Sequence, residues 1–384
     1  MSDVIVIGSG VIGTSIAYHL AREGAKVTLV DKAFDAATKP AATWASAGGL
    51  RSQGRHAEDQ PITRLAAQRW KTLSEELDAE LEASFGGHLH IAETEAEIPV
   101  IEQRLAADTA AGLPIERVEG SRLRGIAPAL TENAIIGAYT AGDGQAHPGR
   151  TARAFACAAE RLGAKLIFGQ AATIRMEGGI ATGATLADGS ILSGGQVVLA
   201  TGAWSIELLS KLGILLPLRW RGLQMLLSDI AEKMLAPTVT AVGRNLSLKQ
   251  TPSGEFMIGG RWIAAPVASG FGSTCVDAHV ARQWSSAAAI LPALRSRRLA
   301  QAWSGIEAQS IDSLPFIGRT RIGGLNLATG FSNHGFQISP QIGACVASDI
   351  LNGHEPLLAP FEPHRHDGID PAKVAAFIAE PIAC

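Results

Sequence analysis

The sequence predicts an α/β fold: a doubly wound, Rossmann-like domain on a parallel sheet, joined to a second domain with a mixed or antiparallel sheet. Three observations carry this expectation. The apolar run Val4-Ile5-Val6-Ile7 leads into Gly8-Ser9-Gly10-Val11-Ile12-Gly13 and then a helix-forming stretch. A second apolar run, Val27 to Val30, ends on an acid, Asp31. Buried-strand patterns recur far downstream, at 196–199 and 325–329, after long stretches with helix and hairpin signals.

Each part of the opening unit has a physical reason. Val4 to Ile7 reads as a strand buried on both faces. Gly8 allows a tight turn, Gly10 lets a ligand approach the backbone, and Gly13 lets the next helix lie close to the strand. That helix, predicted to run to about Arg22, offers unpaired N–H groups around Val11 and Ile12 and its positive dipole end to an anion. Gly24 stops it. Asp31, with Lys32 beside it, stands where a carboxylate can accept hydrogen bonds from a ribose. Together these form a socket for the diphosphate and ribose of a dinucleotide. A tight turn alone would explain the glycines but not strand, helix, strand and acid in this order.

The chain has 384 residues, nearly half of them apolar, and a formal charge of −3. It is too long for one ordinary core, so two interleaved domains are expected: 1–85 with 145–215 and 305–384, and 86–144 with 216–304. No block of like charge points to nucleic acid or an anionic membrane. The four cysteines, Cys157, Cys275, Cys345 and Cys384, form no CxxC pair, so neither a disulfide framework nor a metal site is expected. No leader-like segment precedes the first strand and no apolar run is long enough to span a bilayer; a cytoplasmic location is the expectation.

Further along, Ala45-Ser46-Ala47-Gly48-Gly49-Leu50 is small and irregular, suited to wrapping a ligand with backbone N–H groups. Apolar residues from Ile62 to Leu81 recur at helical spacing. Helices are also predicted at about 95–111, 151–162 and 335–351. A strand runs into the turn Thr201-Gly202-Ala203-Trp204. The stretches 215–227 and 245–260 read as strands, the latter folded at Thr251-Pro252-Ser253-Gly254. The tail after Pro360 reads as irregular.

Three segments together resemble one family. They are the opening fingerprint, Trp303-Ser304-Gly305-Ile306 with Asp312-Ser313-Leu314-Pro315-Phe316-Ile317-Gly318, and Ala328-Thr329-Gly330-Phe331-Ser332-Asn333-His334-Gly335-Phe336-Gln337-Ile338-Ser339-Pro340. The resemblance is to the D-amino-acid oxidase family of flavoproteins, which includes glycine and sarcosine oxidases and the flavin subunits of opine or hydroxyproline dehydrogenases. It implies a glutathione-reductase-like FAD domain and a substrate domain over the flavin ring. The implied cofactor contacts are Gly8, Gly10, Val11, Ile12, Gly13, Asp31, Lys32, Ser46, Ala47, Gly48, Gly49, Leu50, Ala172, Thr201, Gly202, Trp204, Gly305, Asn333, His334, Gly335, Phe336 and Gln337. The helix start near Gly335 would turn N–H donors and partial positive charge toward the reduced ring. The implied reaction is hydride transfer from the carbon beside an amine nitrogen to the flavin. It leaves an imine that hydrolyses, and no side chain is assigned as an essential acid or base.

The chain departs from the family pattern at one telling position. Glycine-oxidase-like members are expected to carry a carboxylate-gripping arginine two residues after the glycine of the WxG segment; here that residue is Glu307. An acid there repels a substrate carboxylate and suits an ammonium or guanidinium. Arg51 and Arg221 are further candidate substrate contacts. The departure favours a secondary amine, such as an opine, and a flavin subunit whose electrons leave through partner chains carrying FMN or an iron–sulfur cluster. The sarcosine-type resemblance also raises His147 as a site of flavin attachment. A glycine or D-amino-acid oxidase acting alone with oxygen is the alternative. An NAD(P)-dependent dehydrogenase would explain the first segment but not the third.

Overall fold

The computed structural model describes residues 2–268 and 270–379; Cys384 lies outside them. Strand Ser2–Ile7 sits inside a sheet in the order 316–319, 325–329, 191–199, 2–7, 27–30, 165–167. It runs parallel to both neighbours, and Leu325–Thr329 continues the parallel set beside Ile191–Leu199. Phe316–Arg319 closes one edge antiparallel. One face, through Val4 and Val6, packs on Ile16 and Leu20 of helix Val11–Arg22, Phe155 of helix Pro148–Arg161 and Ile342 of helix Gly335–Asn352. The other face, through Ile5, Ile7, Val197 and Leu199, packs on Leu209. Fully buried side chains of this size contribute about 1.5–3 kcal/mol each, which makes this double-faced sheet the rigid platform of the molecule.

The second sheet has the order 273–274, 263–266, 218–230, 255–259, 247–250, 238–241, 88–92, 136–140, 116–119. Strand Leu299–Ser310 pairs along Leu218–Ile230. The sheet is mixed, because Thr238–Ala241 runs parallel to His88–Ala92 while most other pairs are antiparallel. Its core, with Leu226, Val239, Phe256 and Ile258, includes Ala287 and Ile290 of helix Asp277–Ile290. Backbone ties join the two sheets. The Ile306 N–H donates to the Pro40 carbonyl at 2.9 Å, and bridges link Ala41 with Ile306 and Gln309 with Phe331.

Three elements differ from expectation. The stretch from Ile62 to Leu81 is not one helix. Gln60–Trp70 gives way to the short Leu73–Glu76, followed by Asp78 at φ 48°. The Trp70 indole N–H donates to the Gln337 carbonyl at 2.6 Å and fixes the helix end, while Leu73, Leu77 and Leu81 still reach the core. Strand Leu299–Ser310 belongs to the second sheet along its length, past the expected break at 304/305, because its pairing with Leu218–Ile230 continues to Ser310. The tail holds helix Pro371–Ala379, whose Phe377 carbonyl accepts from the Arg219 guanidinium at 2.6 Å. Among the described residues, Cys157, Cys275 and Cys345 are free thiols, and no helix is long and apolar enough to cross a membrane.

Candidate active site

The glycine turn is built for close approach. Gly8 lies at φ 110°, and a Cβ there would stand 2.5 Å from the Ala200 carbonyl oxygen. A Cβ on Gly13 would stand 1.9 Å from the Gly8 oxygen, so helix and turn can meet only without it. The N-cap residue of helix Val11–Arg22, Gly10, has no side chain to cap it, and of the first-turn N–H groups Val11 donates to the Thr43 hydroxyl at 3.1 Å, so the dipole end stays open to an anion. One Asp31 oxygen accepts from the Ser9 N–H (2.6 Å) and hydroxyl (2.8 Å); the other accepts from the Ala33 N–H (2.8 Å). These bonds fix the carboxylate at the end of its strand.

From this cradle a cavity of about 2040 Å³ extends between the two sheets, well beyond the roughly 1,000 Å³ upper range of ordinary small-ligand pockets. Gly8, Gly10, Val11, Ile12, Asp31, Lys32, Ala172, Thr201, Gly202 and Trp204 line it, as do Ser46, Ala47 and Gly49. The Lys32 ammonium lies 4.2 Å from the centre of the Trp204 ring. Further along stand Arg51, Gly305, Glu307, Asn333, His334, Gly335, Phe336 and Gln337.

Four expected contacts stand off the wall. Gly13 acts from beneath the turn. Gly48 packs against Ala146, and Leu50 is buried in the core of the first sheet. Arg221 lies opposite Glu307 on the paired strand, yet Arg219, two residues earlier, is the arginine that lines the cavity.

The closing helix enters through strained backbone: Ser332 and Asn333 are at φ 48° and 70°. Such non-glycine residues concentrate at functional sites. The Gln337 amide N–H donates to the Thr63 carbonyl at 3.0 Å, which leaves its buried Oε1 without a partner in the cavity wall. The His334 Nδ1 lies 3.4 Å from the buried Asp59 carboxylate. Burial, with the charge of Arg55, pushes His334 down to about 4, so the ring is neutral near pH 7. His147 caps helix Pro148–Arg161, its Nδ1 accepting from the Arg150 N–H at 3.3 Å.

The far end is a wall of cations that sequence reasoning largely missed. Arg55 and Arg104 join Arg51 there, with His88 and His90. Burial and mutual repulsion pull Arg51 down to about 9; burial pulls Arg55 to about 10, and both stay charged at neutral pH. Burial and the neighbouring arginines push His88 well down and His90 to about 3, so both are neutral. Among the described residues no carboxylate lies within 4 Å of the Arg51, Arg55 or Arg104 guanidinium nitrogens, and Arg55 Nη1 and Arg104 Nε and Nη1 are buried without acceptors. The loop carrying Arg51 and Arg55 is anchored from behind. Asp143 accepts the Ser52 N–H at 2.9 Å, and Asp108 accepts the Gly54 N–H at 2.9 Å. Gly54, at φ 58°, is required for Arg104 to come close: a Cβ there would meet its Nη1 at 1.9 Å. The two arginines around Gly54 in Arg51-Ser52-Gln53-Gly54-Arg55 were a readable signal; Arg104, on a solvent-side helix, gave none. Lys249 is buried on the strand Ser247–Gln250 and donates to the Ala47 carbonyl. Burial alone pulls its ammonium down to about 7.

A glycine-built phosphate cradle facing a second helix start across one cavity defines a flavin-type oxidoreductase. The profile of the family described as FAD dependent oxidoreductase matches residues 3–348, and the chain belongs to that family. It is 29% identical over 366 residues to glycine oxidase from Bacillus licheniformis, covering 91% of this chain and 93% of that one. It is 26% identical over 375 residues to sarcosine oxidase subunit beta from Arthrobacter sp, covering 95% and 91%. Its fold matches L-proline dehydrogenase from P. horikoshii with a TM-score of 0.87 at 26% identity, covering 95% and 97%. The residues fit FAD: the crowded glycines leave backbone for the diphosphate, Asp31 is placed for the ribose, and the Gly335 helix start with the orphaned Gln337 oxygen awaits a polar ring. FAD supplies the two-electron acceptor of the family.

Proposed function

We propose that this chain oxidises the C–N bond of an amino acid or secondary amine to an imine, which water then hydrolyses. The observation that carries this reading is the polarity of the cavity beyond the cradle. A lone acid, Glu307, faces the amine position; opposite it Arg51 adds positive charge to the wall, and Arg55 and Arg104 hold guanidinium donors without acceptors, a setting for a carboxylate. The carboxylate grip expected beside the WxG segment has thus moved to the opposite loop and the helix Ile98–Ala110. The charge of Arg261 already offsets part of the rise that burial imposes on Glu307; a second lasting cation such as a guanidinium is disfavoured there, whereas an ammonium can give up its proton. The cavity volume of about 2040 Å³ supports room for an N-substituted amino acid of the opine kind beside the cofactor. The activities named for glycine oxidase, sarcosine oxidase subunit beta and L-proline dehydrogenase support the same chemistry.

The test is anaerobic mixing of the flavin-loaded chain with glycine, sarcosine, proline isomers, D-amino acids and opines while the flavin band is followed. Bleaching by an amine carrying a carboxylate is expected; bleaching by none of them overturns the reading. The likeness to a sarcosine oxidase subunit favours a second feature, electron delivery to partner chains bearing FMN or an iron–sulfur cluster. In that case the isolated chain bleaches with substrate but forms little peroxide in air, whereas brisk peroxide formation marks an oxidase that acts alone. A cytoplasmic location is consistent with the absence, among the described residues, of a helix able to cross a membrane.

A further inference from the structure

We infer that Glu307 is the proton acceptor of the reaction: it takes a proton from the substrate ammonium, so that the amine lone pair is free when the α-carbon is oxidised. This rests on the amine-oxidising reading above. Of the acids lining the cavity among the described residues, Asp31 and Glu207 belong to the cradle end near Lys32, and Glu307 alone stands at the substrate end. The other candidate bases there are disqualified. His88 and His90 are held neutral and poorly basic by burial and the arginines, and His334 faces Asp59.

Glu307 is held in position for the role. It sits in strand Leu299–Ser310, and its Oε1 accepts from the Gln309 side-chain amide at 2.8 Å. Arg261, at a strained φ of 63° in the turn after strand Glu255–Gly259, acts on it through its charge, and Asn333 faces it from the closing-helix turn. Arg219 and Arg221 lie on the strand paired with it. The low-dielectric surroundings dominate these cations and donors and push the carboxyl up to about 7. A group poised there is charged enough to receive a proton and basic enough to keep it.

The step balances. One ammonium N–H bond breaks, its electron pair stays on nitrogen, and an O–H bond forms on Glu307. With FAD bound as the two-electron acceptor, the hydride of the α-carbon would pass to it with both electrons while the nitrogen lone pair closes the C=N bond of an iminium, which water hydrolyses. The proton leaves Glu307 for solvent before the next substrate.

The test compares wild type, Glu307→Gln and Glu307→Asp, each loaded with FAD, using the amine that bleaches the wild type fastest. The apparent second-order bleaching rate of the wild type is expected to be flat above about pH 7. That of Glu307→Gln should climb about tenfold per pH unit toward the amine pKa, because only free amine can then react. Glu307→Asp keeps the flat profile and controls for a disturbed fold. As a readout independent of turnover, infrared difference spectra are taken on adding 2-aminoisobutyrate, which has no α-hydrogen. A protonated-carboxyl band should appear in the wild type and vanish in Glu307→Gln. Coincident pH profiles, or a band missing from the wild type or surviving in the variant, overturn the assignment while leaving amine oxidation standing. Failure of every amine to bleach the wild type removes both together.

Discussion

The two ends of the cavity are made of different material. The cradle end is main chain: Gly8 and Gly13 clear space, a helix start supplies donors, and one carboxylate, Asp31, is tied down by its neighbours. The substrate end is side chain. Arg51 and Arg55 come from a loop, Arg104 from a helix, and Glu307 from a strand of the second sheet. A site made of backbone depends on residues that are absent, and it tolerates almost no added atom. A site made of long side chains can be redrawn one substitution at a time.

The contrast is sharpest at Gly13. Gly13→Ala places a methyl 1.9 Å from the Gly8 oxygen, so the purified variant should carry no flavin absorbance. Gly10→Ala, whose Cβ meets only the Thr43 hydroxyl at 3.3 Å within the protein, should fold as stably as the wild type yet bind flavin more weakly, because its methyl stands where the diphosphate approaches the backbone. Full flavin in Gly13→Ala would break the view that this end is steric in origin. At the other end, Arg55→Met should keep its flavin yet weaken the carboxylate-bearing amine by about 10- to 100-fold, the loss of a charge-assisted bond of about 1.5–3 kcal/mol. The same titration with the decarboxylated amine should show little change, and equal loss for both would mean that Arg55 only supports the loop.

Behind the Ala47 loop, Lys249 is a buried ammonium that donates to the Ala47 carbonyl and has no carboxylate partner among the described residues. Lys249→Met should stabilise the fold by about 1–2 kcal/mol at pH 7, read by thermal unfolding. Its folded pKa of about 7 lies below the ordinary 10.5, so the unfolded chain binds more protons between those values. Wild-type stability therefore rises across that window and the gain from methionine shrinks as pH approaches 10. A gain that does not change with pH would contradict this. The smallest effect belongs to Asp312. Burial alone would raise its pKa, but Arg365 (2.8 Å) and His366 (2.8 Å) hold the carboxyl well below the usual range. Asp312→Asn should cost about 1 kcal/mol at pH 7. Because the folded pKa is depressed, that cost should fade as pH falls below about 4, in parallel denaturant titrations.

The same division explains what could be read from the amino acids. Gly8, Gly13, Asp31 and Gly335 stand at fixed local spacings because backbone geometry is local, and these segments are legible in one dimension. Glu307 was legible as a departure from a short motif. Arg104 and the cavity role of Arg219 were not, because tertiary packing alone decides which arginine of a helix or strand turns inward. Arg221, the sequence candidate, is off the wall by two residues, one full strand repeat from Arg219. The two share one strand face, so what separates them is how far along the strand the cavity reaches, and composition does not encode that.

The stitches from Pro40 and Ala41 to Ile306, and from Phe331 to Gln309, have a kinetic consequence. A clam that gapes to swallow its meal needs a free rim, and here the rim is sewn by main-chain bonds at the height of the reacting groups. Swinging one half away from the other has to break those bonds first, which sets a cost on any opening of that rim.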